Sequence, residues 1–582
     1  MTNRTAAAAG AIRTLRRWVR LDKGAFIVAS LIIVLGLFLI YPVVLILVLS
    51  FNTAPLFFVG EREWGLDNWR TAFASRGLYS ALFNTIWLWA VSAGVAFPVA
   101  ITIAWLLART RVPFSHGLEF LFWVAYVTPG GLIAWIMLFD QRLGFANVAL
   151  RQLPFVEQGP FNVFSIPGIV FVNVIGSGIA LKVMLLTPAF RNMDATMEEA
   201  ARIGGASSVR TMLRITVPMM ISPIALVFAL QMMRIFNSFE NELILGIPIG
   251  FFVYSTEIYS QVRLHTPPAY GQATALASVT LILVAFIIPL QRWILQRRRY
   301  TTISGNFKPG LISLGRWTWV AFGGIIFYQL FATFMPLGVM VLGSFMSRTG
   351  YFFLDPIFTL RHWEFVLTEP TFFRALATTL MLATSTAILS PILFALIAYI
   401  LVRTRWRFRF GLDGVIWVSA AIPGMLSGLG LLLTFLGTPG LSLLYGTIWA
   451  LLIVIILQGN TTGVNITKGS LVQIGFDMEE AARVSGAGWF RTFFKIWIPL
   501  LMPTLALLAL FNFTIAAGTT SSIILLASRE TITASLLILE WLMPGNTLRE
   551  EAAVAQLILG SITLAAAFVA KRYGITMGVR HT

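Results

Sequence analysis

The sequence of 582 residues contains no cysteine and only four histidines. Without cysteine the chain forms neither disulfides nor thiolate metal sites. The histidines at positions 116, 265, 362 and 581 are scattered, and no two have the spacing of a metal-ligand pair. Charged residues make up only 11% of the chain, which is low for a soluble globular protein. We therefore expect no metal site and no cofactor bound by this chain.

The chain also lacks the phosphate-binding loop of ATPases, G-x-x-x-x-G-K-[ST]. The nearest look-alike, residues 467–470 (Thr-Lys-Gly-Ser), has the wrong order and lies at the end of an apolar run. No set of nucleophile, base and acid stands out either. We therefore interpret the chain as non-catalytic.

Apolar residues are abundant instead, at 58% of the sequence, with a mean hydropathy of +0.83. Such values are typical of an all-α polytopic membrane protein embedded in a lipid bilayer. The net charge of +18 comes from basic residues in short segments that flank the apolar runs. Membrane topology explains that pattern better than nucleic-acid binding does, so we expect no nucleic-acid partner.

Two polar stretches of 22 residues are near-copies of each other. MEEAARIGGASSVRTMLRITVP occupies residues 197–218, MEEAARVSGAGWFRTFFKIWIP occupies 478–499, and twelve of the 22 positions are identical. Each stretch lies between long apolar runs, which indicates an internally duplicated membrane protein. Acidic residues suit the start of a helix, and Gly204, Gly205 and Gly486 suit its end. Each stretch is thus predicted to form a short helix, a tight bend and a second helix that returns to the bilayer.

A second landmark supports the duplication. Residues 107–111 (LARTR) recur as residues 401–405 (LVRTR), an offset of 294 compared with 281 for the longer copies. The first half therefore holds 13 extra residues between the two landmarks, which we assign to the loop at 140–165. An even number of helices between equivalent loops makes the repeats parallel.

The apolar runs predict about 12 transmembrane helices in two parallel six-helix repeats. The third is predicted over about 118–139 and the fifth over about 215–235, followed by an external segment with four charged residues. The predicted units are a cytoplasmic basic arm (1–24), a first repeat (25–296), a cytoplasmic linker (297–316), a second repeat (317–571) and a cytoplasmic tail (572–582). The bias of basic residues places both near-copies and both termini in the cytoplasm.

The spacing within the near-copies resembles the loop of binding-protein-dependent ABC importer permeases, of the fused type found among ferric-iron, thiamine and polyamine permeases. The residues that carry the resemblance are Glu199, Ala200, Ala201, Gly205, Ile215, Val217 and Pro218, and Glu480, Ala481, Ala482, Gly486, Ile496, Ile498 and Pro499. The usual leucine before the proline is valine or isoleucine here. We call residues 197–218 and 478–499 the first and second coupling loops.

The resemblance implies a type I ABC importer permease fold in a bacterial cytoplasmic (inner) membrane. It also implies two partners, a homodimeric ABC ATPase that holds ATP and Mg, and a periplasmic or extracytoplasmic substrate-binding protein. The ATPase-coupling residues would be Glu199, Ala200, Ala201 and Gly205 with Glu480, Ala481, Ala482 and Gly486.

The sequence indicates the class of transporter more specifically than it indicates the substrate. Residues 298–305 (RRYTTISG) look like the linker of ferric-type members, which favours ferric iron, with thiamine, a polyamine or an aminophosphonate as alternatives. An ion-coupled secondary transporter is a remoter alternative, because such a carrier needs no pair of docking loops. A membrane enzyme is disfavoured by the lack of a convergent His/Asp/Glu cluster.

Polar residues beside the fifth and eleventh helices are candidates for the substrate pathway. They are Asn237, Glu240, Asn241 and Glu242 in the first half and Asn512 and Thr519 in the second. Acidic groups near a membrane helix end would suit a cation, although they would also suit the water among lipid headgroups. Lys182, within the fourth apolar run, is expected to extend towards the first coupling loop or to pair with a pathway acid.

Overall fold

The computed structural model describes residues 30–54, 61–127, 131–193, 196–232, 235–297, 311–404, 409–475, 477–546 and 548–572. The predicted basic arm, most of the linker and the tail lie outside these residues. Within them the chain is helical, and its only β pairing consists of isolated bridges. In the part of the chain that the structure describes, nine helices are long and apolar enough to cross a membrane, or up to 12 if each of three bent pairs is one span. The all-α membrane class is confirmed.

In the described residues the two halves have corresponding helices in the same order, although the first half is divided into 13 helices and the second into 10. In the first half these are α1 Ser30–Leu49, α2 Asp67–Ala74, α3 Arg76–Arg109, α4 Ser115–Val127, α5 Gly131–Phe139, α6 Phe145–Leu150, α7 Ile166–Arg191, α8 Thr196–Ile203, α9 Ser208–Met219, α10 Ile221–Met232, α11 Glu240–Ile249, α12 Tyr254–Leu264 and α13 Tyr270–Arg297. In the second half they are α14 Trp317–Phe345, α15 Arg361–Thr368, α16 Pro370–Arg403, α17 Arg409–Ala421, α18 Gly424–Gly437, α19 Ile448–Val472, α20 Asp477–Val484, α21 Trp489–Gly518, α22 Ala534–Leu542 and α23 Arg549–Arg572. Helices α8 and α20 begin the two coupling loops.

Two predicted continuous helices are bent. The third is α4 and α5, which meet at 87°, and the fifth is α9 and α10, which meet at 67°. The first bend coincides with Pro129–Gly130 in the sequence, and the second lies between Pro218 and Pro223. Proline lacks the N–H that a continuous helix needs, so both bends have a local cause.

The segment after the fifth helix, which the sequence predicts to be external, is helical and largely buried within the protein. Residues 240–264 form α11 and α12, two helices that meet at 77° and pack inside the bundle. Glu242 is 1% exposed, and Leu243 to Leu245 are buried with it. The segment contains only three acidic residues, and its apolar residues are more numerous. These apolar residues bury the segment against its neighbours.

The extra residues of the first half lie where the two repeat offsets placed them. The connection between Phe139 and Ile166 contains the additional helix α6, whereas the second half passes from Gly437 to Ile448 through a shorter turn. Asn147, fully buried, ties the longer connection together by donating to the carbonyls of Asp140 (2.9 Å) and Phe161 (2.7 Å).

The first helix of each half packs against the other half. Phe38 of α1 contacts Phe435 of α18 with ring centroids 6.4 Å apart. A Cβ at Gly430 would lie 2.9 Å from Pro42, so glycine permits this close approach. In the same way, Phe331 of α14 packs against Trp135 of α5 at 5.5 Å. Because the first helix of each half packs on the other half, the two halves are interlocked.

A short helix at the end opposite the coupling loops is fastened by a histidine. His362 of α15 lies with Nδ1 2.8 Å from Glu551 Oε1 and Nε2 3.1 Å from the carbonyl oxygen of Met346. Since both ring nitrogens face acceptors, the arrangement favours imidazolium, in which both nitrogens donate. The hydrogen bond to Glu551 raises the pKa of His362, and the charges of Glu551 and Glu550 add to it against the opposing effect of burial.

We expect His362→Gln to destabilise the protein more in acid than in base. A folded-state pKa above the unfolded value of about 6.5 gives stability that is complete below the unfolded value and lost as pH rises through the folded one. Thermal unfolding of the purified wild type and variant from pH 5.5 to 9 measures the difference in midpoint. A difference that is constant across this range would contradict the charged His362–Glu551 contact.

Candidate coupling loops and central cavity

The bend of each coupling loop is a helix C-cap built on a glycine. Gly205 has φ +83° and Gly486 has φ +76°, a conformation that side chains with Cβ disfavour. The N–H of Ala206 donates to the carbonyl of Ala201 at 3.0 Å, and the counterpart bond in the second loop is 2.9 Å long. These bonds close the helix end around the glycine. The predicted helix, bend and second helix are therefore present in both loops.

Most of the predicted coupling residues face solvent. Glu199, Ala200, Gly205, Glu480, Ala481 and Gly486 are exposed, Ala201 is half-buried and Ala482 is buried. The two loops thus present the same residues outward in the same order.

Large apolar side chains lie beside them on the same surface. Ile203 is 89% exposed and Val484 is 90% exposed, although each follows the polar part of a helix. Three further pairs at the 281-residue offset are also exposed: Met197 and Met478, Val209 and Phe490, Leu213 and Phe494. An apolar patch that recurs at equivalent positions indicates a surface for a protein partner. Sequence reasoning missed these residues, although their apolar character in both copies was a usable signal.

The first coupling loop is anchored through Glu198, the residue before the predicted Glu199. Glu198 and Arg109 are almost fully buried and form an ion pair in which Nε lies 3.0 Å from Oε2 and Nη2 also donates to Oε2. Nη1 of Arg109 donates to the Met193 carbonyl at 2.9 Å, and Thr216 donates to Glu198 Oε1 at 2.6 Å. This contact joins the end of α3 to both sides of the loop.

The second coupling loop is anchored at the equivalent place by different chemistry. Arg403 donates to the carbonyls of Leu471 (2.8 Å) and Ile474, and its guanidinium lies 4.6 Å from the ring centroid of Trp497. Tyr399 donates to the buried carboxylate of Glu479 at 3.0 Å. In both halves the end of the long helix therefore contacts the coupling loop, although the sequence repeats these two segments at different offsets.

A cavity of about 330 Å³ lies between the two halves. Its walls come from α4, α5, α7 and α11 of the first half and from α14, α21, α22 and α23 of the second. The polar side chains among its lining residues include Glu240, Asn241, Thr333, Thr520, Ser535 and Gln556. A concave site between domains with a few polar groups is the ordinary setting for a small ligand.

Four of the six candidate pathway residues lie in the segment 237–242, which contributes Glu240 and Asn241 to the cavity wall. Thr520 donates to Glu240 Oε1 across the two halves, and Asn237 Oδ1 accepts from the N–H of Gly424 at 2.9 Å. Asn241 donates to Asn173 at 2.8 Å, which donates in turn to Glu242 at 2.7 Å. Glu240 and Asn241 line the cavity, whereas Glu242 is buried behind them.

The structure does not bring the other two candidates into the cavity wall. Asn512 is 4% exposed and donates to Ser390 of α16 at 2.8 Å, so it serves helix packing. The Thr519 hydroxyl donates to the carbonyl of Ile515 at 2.7 Å.

Lys182 does not extend towards the first coupling loop, as was expected. It donates to the carbonyl of Gly178 at 2.7 Å, one helical turn further from that loop, and lies 5.1 Å from the ring centroid of Phe97. The carbonyl and the aromatic face stabilise the cation within α7, so it needs no contact with headgroups.

Beyond the cavity, the halves are joined at the end away from the coupling loops. Asp140 follows α5, Arg549 begins α23, and their side chains form an ion pair of 3.0 Å. Arg263 of the first half also donates to the carbonyl of Ile524 at 2.9 Å. These contacts bridge the cavity on that side.

One family model matches this chain twice, once in each half. A family model described as "Binding-protein-dependent transport system inner membrane component" matches residues 96–300 and 391–572, which together are more than half of the chain. Each match contains one coupling loop.

Several curated relatives are permeases. The chain is 26% identical over 370 residues to the ferric transport system permease protein FbpB of Actinobacillus pleuropneumoniae, covering 62% of this chain and 52% of that protein. It is 26% identical over 355 residues to a putative ferric transport system permease protein of Haemophilus influenzae, covering 60% and 54%. The chain thus spans about half the length of these two relatives.

Other similar proteins have names that specify substrates other than iron. A glucose import system permease protein of Saccharolobus solfataricus is 27% identical over 291 residues, covering 47% of this chain and 99% of that protein. A solved bacterial ABC transporter described as importing the acidic polysaccharide alginate matches 49% of this chain and 100% of its own, at 19% identity and a TM-score of 0.40.

Proposed function

Because this chain belongs to the family of binding-protein-dependent transport system inner membrane components, we propose that it forms the substrate pathway of an ATP-driven ferric-iron importer. It is an ABC importer permease, and the proposal adds its substrate, its partners and its orientation. A separate homodimeric ATPase holds ATP and Mg and docks on the coupling loops. A periplasmic or extracytoplasmic binding protein delivers the substrate to the opposite end.

The single observation that carries the docking proposal is the matched exposure of Ile203 and Val484, at 89% and 90%. A homodimer offers two equivalent surfaces, and one fused chain with two equivalent loops contacts both. The exposed carboxylates of Glu199 and Glu480 stand beside these apolar residues, where they would accept hydrogen bonds from basic groups of the ATPase. With the loops in the cytoplasm of a bacterium, the outer ends of the helices face the binding protein.

Two observations support ferric iron as the substrate. Two relatives that share about three fifths of this chain have names that specify ferric transport. Glu240 supplies a carboxylate to the cavity, and Thr520 and Ser535 supply hydroxyl oxygens. A carboxylate among hydroxyl groups suits a hard cation, which prefers oxygen ligands.

We expect Glu240→Gln to lower uptake about tenfold, because a hydrogen bond to a charged group contributes about 1.5–3 kcal/mol and most of that is lost with the charge. The measurement is ATP-dependent uptake of radioactive ferric iron from a loaded binding protein into proteoliposomes that contain the whole complex. Glu242→Gln is the matched control two residues away, and its effect on uptake should be smaller because Glu242 does not line the cavity.

The same assay discriminates between substrates and mechanisms. Ferric iron should be taken up only with ATP, and an excess of thiamine, polyamine or aminophosphonate should not reduce it. Uptake of one of those compounds in place of iron would overturn the substrate. Uptake driven by an ion gradient without ATP would overturn the docking proposal and indicate a secondary transporter.

A further inference from the structure

We propose that Thr85 and Thr379 are positioning residues: each joins a long helix, α3 or α16, to the helix that follows the cavity-lining segment, while a buried arginine joins the other end of the same helix to a coupling loop. The inference rests on the proposed function, in which an ATPase moves the loops.

The joint at the loop end uses an equivalent arginine in both halves. The last residue of each long helix, Arg109 or Arg403, is buried and binds the segment just before its coupling loop. The carbonyls that they bind, those of Met193 and Ile474, are 281 residues apart, as the loops themselves are. A loop held by a buried guanidinium cannot shift without moving the helix that carries it.

The helices between the joints are long enough to connect the two ends of the bundle. Each contains 34 residues without a break in its helical assignment, and the 24 residues that separate the threonine from the arginine correspond to about 36 Å at 1.5 Å per residue. Helix α3 contains Pro98 and α16 contains Pro391, each in its second half. A movement at one end therefore reaches the other as a displacement of a single element.

The joint at the cavity end of α3 is a hydrogen bond to the start of α12. The hydroxyl of Thr85 donates to the carbonyl of Ala81 at 2.7 Å, so its lone pairs are free to accept. It accepts from the N–H of Tyr254 at 2.8 Å, one of the donors at a helix start that has no partner within the helix. Thr85 is 3% exposed, so water cannot replace it.

The second half repeats this joint with a different residue at the helix start. Thr379 lies 294 positions after Thr85, donates to the carbonyl of Ala375 at 2.8 Å and accepts from the N–H of Ala534 at 2.8 Å. Thr379 is fully buried. The donor changes from tyrosine to alanine while the threonine and its geometry are kept, because the contact is to the backbone.

From each joint the path continues to the cavity through a serine. Ser255, next to Tyr254, donates to the carbonyl of Ser238, and Ser535, next to Ala534, donates to the carbonyl of Thr519 at 3.0 Å. Those carbonyls lie 281 residues apart and come two residues before Glu240 and one before Thr520.

The two paths therefore end on side chains that touch each other. Glu240 and Thr520 hydrogen-bond across the halves at the cavity wall. Movement of α3 and α16 relative to each other would change this contact.

The test is the double variant Thr85→Val and Thr379→Val, which keeps the side-chain shape but removes the hydroxyl that accepts the N–H. The matched control is Thr102→Val and Thr378→Val, since Thr102 is exposed, Thr378 is half-buried, and both bond only within their own helices in the described contacts. Thr85→Ser and Thr379→Ser keep the hydroxyl and serve as the rescue.

The absence of cysteine from the sequence supplies the reporter. Asp140→Cys and Arg549→Cys place one thiol on each half beyond the cavity, where the two side chains now form an ion pair. Cross-linking by a short bifunctional maleimide is measured in the complex with the ATPase, without nucleotide and with ATP and vanadate. Bound ATPase and the thermal midpoint of the permease are measured on the same samples.

In the otherwise unchanged reporter, ATP and vanadate should alter the cross-linked fraction. In the double valine variant this response should fall about fivefold or more, the lower range of coupling between linked sites, while the ATPase stays bound. The threonine controls and the serine rescue should respond fully. A full response in the double valine variant, or a loss shared by the serine rescue, would overturn the inference. A reporter that binds no ATPase, or ignores ATP while bound, would instead overturn the proposed function.

Discussion

Ile203→Asp together with Val484→Asp is expected to release the ATPase from this permease while leaving the permease folded. Each side chain is about nine-tenths exposed, so a charge there meets water in the isolated chain and costs little stability. In the complex each aspartate would be buried against the ATPase, where losing one apolar anchor costs about 2 kcal/mol or more. Two such losses would weaken binding by roughly a thousandfold. Co-purification of tagged permease with the ATPase measures this directly.

The single variants and a remote control sharpen the test. Because two loops bind one ATPase dimer, each single aspartate should weaken binding less than the pair does, since the other loop still holds the partner. Leu443→Asp is the matched control, because Leu443 is 82% exposed but lies between α18 and α19 at the end away from the coupling loops. Retention of the ATPase by the double variant at the wild-type level would refute the assigned surface.

Arg109→Met is expected to be among the most destabilising single changes in the first half. It leaves the carboxylate of Glu198 buried, with the hydroxyl of Thr216 still donating to it. Removing one member of a buried ion pair costs about 3–5 kcal/mol. Thermal unfolding of the purified chain, together with the rate of proteolytic cleavage in the first coupling loop, measures the loss.

The double variant Arg109→Met and Glu198→Met separates the charge from the packing. Two apolar residues of similar size should recover much of the stability, because no unpaired charge is left inside. Asp67→Asn removes the exposed Arg70–Asp67 pair, whose side chains are more than two thirds exposed, and should change stability by less than about 1 kcal/mol. Equal small effects of Arg109→Met and Asp67→Asn would show that the buried pair does not anchor the loop.

The sequence was sufficient for features that depend on local rules and on duplication. The helix, glycine bend and returning helix at Gly205 and Gly486 follow from helix-capping chemistry, and the structure has them. The number of extra residues in the first half followed from subtracting one repeat offset from the other, and the loop between the two landmarks was the simplest place for them. Such features need no knowledge of which helices become neighbours.

Features that depend on long-range packing were not accessible in the same way. Glu242 and Asn512 looked alike as polar residues near helix ends, yet both are buried by helices far away in the sequence. The ion pair of Arg109 with Glu198 joins residues 89 positions apart. Arg109 and Glu198 each belong to a motif that occurs twice in the sequence. That duplication was the one sequence signal that the two residues are functionally linked.

In the proposed complex, a single chain with two coupling loops serves both halves of an ATPase dimer. The mass of the intact complex, released from detergent in a native mass spectrometer, tests this most directly. We predict one permease chain of 64.4 kDa with two identical ATPase chains. A complex with two permease chains for each ATPase dimer, or a permease that carries no ATPase, would show that one chain does not serve both halves of the dimer.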